Sequence, residues 1–405
     1  MKDFSIYSPT RIFFGKNQLS AFTKASAEVG RKALLVIGGG SVKRLGVLEP
    51  MQNALKEAGI ETLLFEGIEP NPQAKTINKA AKLAQEEGVE SIIAFGGGSV
   101  IDASKAIAIL VHEKADDIWE YVLGEGKAGK YTGAIPVIAI PTTAATASEV
   151  TAYAVISNEA VNGKSVLGHE VLKPKVSFMN PVYTTTLSET TTEDGAADIL
   201  SHVLENYILG GDHSPLADRY SEAVMNTVLE TLPKLKKDLQ NENLRADLFW
   251  VSDLALNGYQ TAGRTPSGFT MHSIEHAASG FYPKLAHGRG LATIYPAYFR
   301  WLVKNERGVA RFAKLGERLF GIVEGDTKER AMQFIERFEN WLDENNLLQS
   351  FPQTGVAPEK YRDIAQYAAK VYGDGKKLSA LGDLTIDDIV EIMEMTHQQE
   401  KEVVA

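Results

Sequence analysis

Three histidines lie close together in the segment MHSIEHAASGFYPKLAHGRG, which runs from residue 271 to residue 290. His272 and His276 are four residues apart and share one face of a predicted helix, whereas His287 follows a turn that contains GFYP. Imidazoles bind borderline divalent metals and transfer protons near neutral pH. The zinc-protease motif HExxH is absent, because Glu275 occupies a different position. The spacing indicates a metal or proton-transfer site, or else a chance cluster on a solvated face.

A second polar pair occurs in DGAADILSHVLENYIL (residues 194–209), where Asp198 and His202 are one helical turn apart. The apolar residues around them place the pair beside a buried face, where a carboxylate is costly unless it is paired or bound to a cation. Taken alone, the pair is more typical of a carboxylate that orients a core histidine. With two of the three downstream histidines it would form an N₃O set, which suits Fe(II), Zn(II), Co(II) or Ni(II) rather than Ca(II) or Mg(II). The remaining histidine would then transfer protons.

The composition excludes several classes of site and partner. The chain has no cysteine, so neither a disulfide nor a thiolate ligand is possible. The formal charge of −10 argues against a nucleic-acid partner, because phosphate binding needs basic patches. No apolar run approaches the roughly 20 residues that span a bilayer, and the first residues lack the pattern of a secretion signal. We therefore expect a cytoplasmic protein with no membrane partner.

Two identical GGGS turns, at residues 38–41 and 96–99, each follow an apolar β-rich run and precede a helical pattern. Glycine lets the backbone approach a ligand closely, and the first amides of a helix favour an anion. Neither turn has the GxGxxG spacing, and a single GGGS is equally compatible with a plain tight turn. A threonine-rich turn, PTTAATASE (residues 141–149), follows a third strand pattern. Because three such loops would meet at one edge of a parallel sheet, the pattern favours a nucleotide site.

The elements that would carry these residues change in character near residue 184. Before it, strand patterns alternate with helical patterns, which predicts an α/β domain over residues 1–184 with a mostly parallel, Rossmann-like sheet. The strands are predicted at 33–41, 61–67, 91–99 and 136–143, with two more possible at 153–157 and 175–179. Nine helical patterns and no convincing strand follow, which predicts an all-α domain over residues 185–405.

Several motifs together resemble the iron-containing alcohol dehydrogenase family, most closely its butanol-dehydrogenase type of NADPH-dependent aldehyde reductases. The motifs are PTRIFFG, GGGSVKRLG, EPNP, GGGSVIDASK, PTTAATASE, DGAADILSHVLENY and the histidine cluster. The resemblance implies a dinucleotide-binding domain followed by a helical domain, in the architecture of dehydroquinate synthase. It also implies a homodimer that interconverts primary alcohols and aldehydes by metal-assisted hydride transfer to or from a nicotinamide.

The resemblance further implies the roles of the polar cluster. Asp198, His202, His272 and His287 would be the metal ligands, which leaves His276 as the catalytic residue for proton relay. Iron(II) is the first expected metal and zinc(II) the second. The spacing from His276 to His287 is one residue longer than the family pattern.

Cofactor residues are implied by the same resemblance. They are Gly38, Gly39, Gly40 and Ser41 of the first turn, Gly97, Gly98, Ser99 and Asp102 of the second, Thr142, Thr143 and Thr146 of the third, and Lys164. Asp102, near the nicotinamide, is also a candidate catalytic residue. Gly39 stands where NAD-preferring relatives have an aspartate, so NADP(H) is expected rather than NAD(H). Ala145 and Ala147 replace glycines of the third loop, and because a methyl group disfavours positive φ, this loop is expected to be displaced.

Four alternatives fit parts of the sequence. One is a glycerol- or propanediol-type dehydrogenase of the same superfamily. A dehydroquinate-synthase-like lyase should carry several cationic residues for an anionic substrate, but near the metal motifs we find mainly Arg264, Lys284 and Arg289. A metal-dependent hydrolase would leave the two GGGS turns without a purpose. A non-catalytic nucleotide-binding module would not explain Asp198 together with the histidine cluster.

Overall fold

The computed structural model describes residues 1–211 and 214–399, and the chain divides into two compact units. The N-terminal unit holds Tyr7–Leu187 and Asp238–Asp253. The C-terminal unit holds Met1–Ile6, Ser188–Lys237 and the chain from Leu254 onward. The division into domains at residue 184 remains a prediction. Among the described residues, no helix is both long enough and apolar enough to cross a lipid bilayer.

A six-stranded parallel sheet and one antiparallel hairpin make up the strands of the N-terminal unit. The strands are β1 (Arg11–Phe14), β2 (Lys32–Gly38), β3 (Glu61–Ile68), β4 (Ser91–Gly96), β5 (Val137–Pro141), β6 (Tyr153–Asn158), β7 (Gly163–Gly168) and β8 (Val176–Met179). The spatial order in the sheet is β1-β8-β5-β4-β2-β3, and β6 pairs with β7. The predicted strand at 175–179 therefore joins the sheet, whereas the one at 153–157 belongs to the hairpin.

Helices cover both faces of this sheet, which explains why its central strands are apolar throughout. The helices are α1 (Leu19–Ala27), α2 (Ser41–Arg44), α3 (Leu48–Glu57), α4 (Ala74–Glu87) and α5 (Gly98–Glu113). Successive residues of a strand point to opposite faces. Leu34 and Val36 of β2 therefore join one core, with α4 and α5, while Leu35 and Ile37 join the other, with α1 and α3.

Nine α-helices follow in the described part of the chain after residue 187, as predicted. They are α6 (Glu189–Leu209), α7 (Pro215–Leu235), α8 (Glu242–Leu256), α9 (Thr270–Phe281), α10 (His287–Lys304), α11 (Val309–Phe320), α12 (Thr327–Glu344), α13 (Tyr361–Tyr372) and α14 (Ile386–Met395). The expectation that no strand occurs here is wrong, because β9 (Lys377–Ala380) and β10 (Gly382–Thr385) form an antiparallel hairpin. Each has four residues and a single buried one, which is too short for an alternating pattern to be visible.

Candidate metal and cofactor sites

Asp198 and His202 lie side by side on α6, which is buried on nearly all sides beyond its first turn. The residues are only 3% and 4% exposed, and Asp198 Oδ1 is 3.5 Å from His202 Nε2. Burial lowers the pKa of His202 to about 3. The ring is therefore neutral, which is the form in which imidazole binds a metal.

Helices α9 and α10 bring the downstream histidines to the same place. His272 and His276 lie on α9, and His287 is the first residue of α10. Asp198 Oδ1 is 3.5 Å from His287 Nε2, as it is from His202. The centre of the His272 ring lies 5.2 Å from that of His202 and 5.4 Å from that of His287. The structure thus brings together the four residues predicted as metal ligands, from three helices.

The donor atoms in this cluster fit a divalent ion. Ligand atoms around a tetrahedral ion with bonds of about 2.1 Å lie about 3.4 Å apart. Asp198 Oδ1 is 3.5 Å from the Nε2 atoms of both His202 and His287, which matches that spacing. One ligand atom from each of Asp198, His202 and His272 also lies within 4.8 Å of the others. Asp198 Oδ1 is buried and has no hydrogen-bond partner among the described residues, a costly state that a cation would relieve.

Two carboxylates that the sequence analysis did not assign contact the histidine ligands. Glu205 on α6 accepts a hydrogen bond of 2.7 Å from His272 Nδ1, and Glu275 on α9 accepts one from His287 Nδ1. Both glutamates are buried. A signal was present in the sequence, since Glu205 is three residues after His202 and Glu275 is three after His272. Each glutamate therefore shares a helix face with a predicted ligand.

His276 is the fifth member of the cluster. Its ring stacks on that of His287 with centres 5.2 Å apart, and lies 5.7 Å from the ring of Tyr372. Glu275, His276 and His287 also offer ligand atoms within 4.8 Å of one another. By distance alone, His287 could therefore bind an ion either with Glu275 and His276 or with Asp198. Because its Nδ1 contacts Glu275 while its Nε2 faces Asp198, His287 is better placed in the set of Asp198.

The three predicted cofactor loops lie at the carboxyl ends of adjacent parallel strands, β2, β4 and β5. β3 lies beside one edge of β2, and the next strand in the chain, β4, lies beside the other edge of β2. The two GGGS turns, which follow β2 and β4, therefore flank a topological switch point. The second and third loops are in contact. A Cβ atom on Gly97 would lie 3.2 Å from Thr143 Oγ1, and one on Gly98 would lie 2.6 Å from Thr146 Oγ1. Position 98 therefore requires glycine.

Asp102 joins α5 to the third loop. Its Oδ1 accepts a hydrogen bond of 2.5 Å from Ser148 Oγ, and its Oδ2 accepts one of 2.9 Å from the Val155 amide. Lys105, one turn later and fully buried, donates to Ser148 Oγ and to the Tyr153 carbonyl. Burial lowers the pKa of Lys105 to about 8. These contacts hold the loop in place, and the catalytic role of Asp102 remains a prediction.

The first GGGS turn is more open than the second. Gly40 has a φ of 95°, and a Cβ atom on Gly39 would meet nothing within 4 Å. Arg44 donates to the Gly39 carbonyl at 3.3 Å, whereas Lys43 pairs with Glu66 at 2.5 Å. The guanidinium of Arg44 is therefore the cation next to Gly39.

Lys164 lies outside the three loops. It is a buried residue of β7, opposite Ser157 of β6 in the hairpin. Its part in cofactor binding remains a prediction.

Comparison with known proteins adds independent information. Residues 9–181 match the sequence profile of iron-containing alcohol dehydrogenases, and residues 192–396 match that of the C-terminal part of the same family. The chain is 36% identical to the probable NADH-dependent butanol dehydrogenase 2 of Bacillus subtilis, over 97% of this chain and 99% of that protein. It is 34% identical to the NADPH-dependent aldehyde reductase YqhD of Escherichia coli, over 85% and 87%. The crystal structure of NADH-dependent butanol dehydrogenase A from Thermotoga maritima matches with a TM-score of 0.92 and 31% identity, over 98% and 99%.

Proposed function

The chain belongs to the iron-containing alcohol dehydrogenase family, and we propose that it interconverts short aliphatic aldehydes and primary alcohols with NADP(H). It is a metal- and nicotinamide-dependent oxidoreductase of alcohols and aldehydes. The observation that carries the proposal is the convergence of Asp198, His202, His272 and His287 in one cluster. The glycine- and threonine-rich loops, which follow neighbouring strands of the parallel sheet, support the cofactor part of the proposal.

The metal ligands we propose are Asp198, His202, His272 and His287. Fe(II) is the first candidate ion and Zn(II) the second, because three imidazole nitrogens and one carboxylate oxygen suit both. When bound, the ion would act as a Lewis acid toward the substrate oxygen, and the nicotinamide would supply or accept the hydride.

The fifth member of the cluster would move the proton, and aromatic neighbours of the cluster would contact the substrate. We assign proton transfer to His276, whose ring is stacked on His287. The ring of Phe269 lies 5.1 Å from that of His272, and the ring of Tyr372 lies 5.7 Å from that of His276. These apolar surfaces suit a short alkyl chain and exclude water from the reacting atoms.

The preference for NADP(H) is supported by the first turn. An aspartate at position 39 would repel a 2′-phosphate, and Gly39 removes that charge. Arg44 lies beside Gly39, and a guanidinium can donate two parallel hydrogen bonds to a phosphate. The other proposed cofactor contacts are Gly38, Gly40, Ser41, Gly97, Gly98, Ser99, Asp102, Thr142, Thr143, Thr146 and Lys164.

The dehydroquinate-synthase-like alternative has less support. Arg264 is paired with Asp218 at 3.0 Å and Arg289 with Asp194 at 2.8 Å, so both cations already have anionic partners within the protein. A homodimer and a cytoplasmic location remain predictions from the sequence.

The test is aldehyde-dependent oxidation of NADPH before chelation, after chelation, and after return of Fe²⁺ or Zn²⁺. We expect chelation to abolish the activity and one of the ions to restore it. Equal rates in the chelated and loaded proteins would refute the mechanism. His272→Ala should lose its metal, as measured by elemental analysis, whereas His276→Asn should keep its metal and turn over roughly 10²- to 10⁴-fold more slowly.

A further inference from the structure

The three histidines of the proposed ligand set differ in the contacts of Nδ1, the ring nitrogen that would not bind the ion. Nδ1 of His272 donates to Glu205 at 2.7 Å, and Nδ1 of His287 donates to Glu275. Nδ1 of His202 is buried with no hydrogen-bond partner among the described residues. Carboxylates thus orient two of the three rings, while the third stacks on His272 with centres 5.2 Å apart.

Glu205 uses both carboxylate oxygens on α9. Oε2 accepts the hydrogen bond from His272 Nδ1, and Oε1 accepts one of 2.5 Å from the backbone amide of Met271. The first amides of a helix have no partner within it and favour an anion, so Glu205 caps α9 from α6. One side chain therefore fixes both the start of α9 and the orientation of the His272 ring.

Glu275 contacts His287 in a similar way: the glutamate lies on α9, and the histidine is the first residue of α10. Its Oε2 accepts a hydrogen bond from His287 Nδ1, and its Oε1 accepts one from Ser279 Oγ, one turn later on α9. A Cβ atom on Gly290 would lie 2.8 Å from Glu275 Cγ and 3.1 Å from Oε1. The glycine at position 290 therefore provides the space that the carboxylate occupies.

We propose that Glu205 and Glu275 are positioning residues that fix His272 and His287 in the tautomer with the proton on Nδ1. Nε2 of each ring is then left with its lone pair for the ion. A buried carboxylate is costly unless its oxygens are satisfied, and each of these four oxygens accepts a hydrogen bond. The proposal rests on the ligand set of the proposed function, and loss of such a partner typically lowers metal affinity about 10- to 100-fold.

Zinc affinity, measured on the chelated protein by competition with a chromophoric chelator, tests the role of Glu275. Glu275→Ala should weaken Zn²⁺ binding about 10- to 100-fold. Glu275→Gln should weaken it less, because its amide oxygen can still accept from His287 Nδ1. Ser279→Ala is the matched control, since it removes a partner of Glu275 and leaves the carboxylate beside His287, and it should change the affinity least.

Gly290→Ala displaces the Glu275 carboxylate without removing any hydrogen-bonding group, so its zinc affinity should fall between those of Ser279→Ala and Glu275→Ala. It also replaces Glu275→Ala if that variant does not fold. Glu205→Ala should weaken zinc binding through His272 and, in addition, destabilise the start of α9. Long-range ¹H–¹⁵N spectra of ¹⁵N-histidine-labelled protein should show one tautomer of His287 in the wild type and a mixture in Glu275→Ala.

Wild-type zinc affinity, within about twofold, in both Glu275→Ala and Gly290→Ala would overturn the proposal, because a positioning residue must change affinity by more. His272→Ala separates this failure from failure of the ligand set. If His272→Ala binds zinc as tightly as the wild type, the ligand set itself is wrong. If it loses zinc while the Glu275 and Gly290 variants keep it, only the role of the glutamates is wrong.

Discussion

Ala147, in the threonine-rich loop, has a backbone conformation that side chains disfavour. Its φ is 51°, and the residue is 1% exposed. The chain therefore keeps a left-handed conformation at this position despite the methyl group. Ala145, two residues earlier in the same loop, does not have a positive φ. Replacement of each alanine by glycine should consequently have different effects on the free energy of unfolding.

The expected difference is about 1 kcal/mol. Glycine at position 147 removes a strain of about 1–2 kcal/mol and loses about 0.8 kcal/mol from one buried carbon. Either replacement also increases the entropy of the unfolded chain, by about 0.4–1 kcal/mol, and this term cancels when the two variants are compared. Ala147→Gly should therefore leave stability almost unchanged, whereas Ala145→Gly should lower it by about 1 kcal/mol.

Equilibrium unfolding in urea, on chelated protein without cofactor, measures both variants against the wild type. The midpoints should differ while the slope stays constant, because neither change alters the surface exposed on unfolding. If Ala147→Gly is destabilised as much as Ala145→Gly, the backbone of Ala147 is not strained and the reasoning is refuted. If Ala145→Gly is the more stable variant, the backbone strain lies at Ala145 and not at Ala147.

Two further predictions concern the N-terminal unit. Gly39→Asp should lower the ratio of kcat/KM for NADPH to kcat/KM for NADH by roughly 10- to 100-fold, because it places a negative charge beside Arg44. An unchanged ratio would show that the 2′-phosphate binds elsewhere. Burial raises the pKa of Glu149 to about 7, so the folded protein keeps a proton that the unfolded chain releases above about pH 4.5. Glu149 should therefore contribute up to about 3 kcal/mol of stability that is present below pH 4.5 and lost as the pH rises to 7. In urea unfolding at pH 5 and pH 8, the loss of stability should be smaller in Glu149→Gln than in the wild type, and an equal loss would contradict the assignment.

The sheet was predictable where its strands are buried on both faces. β2, β4 and β5 are mostly apolar runs that end in glycine or proline, and their positions followed from that pattern. β1 has only four residues, none of them fully buried, and it carries no such pattern. The segment at 153–157 pairs with the next strand, Gly163–Gly168, in a hairpin, and its own apolar pattern does not show whether it pairs there or in the sheet.

The proposed metal ligands were easier to find in the sequence than the residues proposed to orient them. The i,i+4 pair on α6 places an aspartate and a histidine on one helix face, the pair on α9 does so for two histidines, and the two pairs together favour a metal site. Glu205 and Glu275 have the same helical spacing, but a glutamate on a helix is usually a solvated residue. The proposal for these two residues depends on the packing of α6, α9 and α10, which shows that they are buried and contact Nδ1 atoms.

The segment between His276 and His287 shows why spacing alone is a weak guide to a site built from several helices. α10 begins at His287, and a Cβ atom on Gly288 would lie 1.8 Å from the Asp194 carbonyl oxygen, so the backbones of α10 and α6 are in direct contact there. Asp194 is one turn before Asp198, and this contact brings His287 Nε2 to 3.5 Å from Asp198 Oδ1. The position of His287 thus depends on the contact at Gly288, which the number of residues in the preceding turn does not reveal.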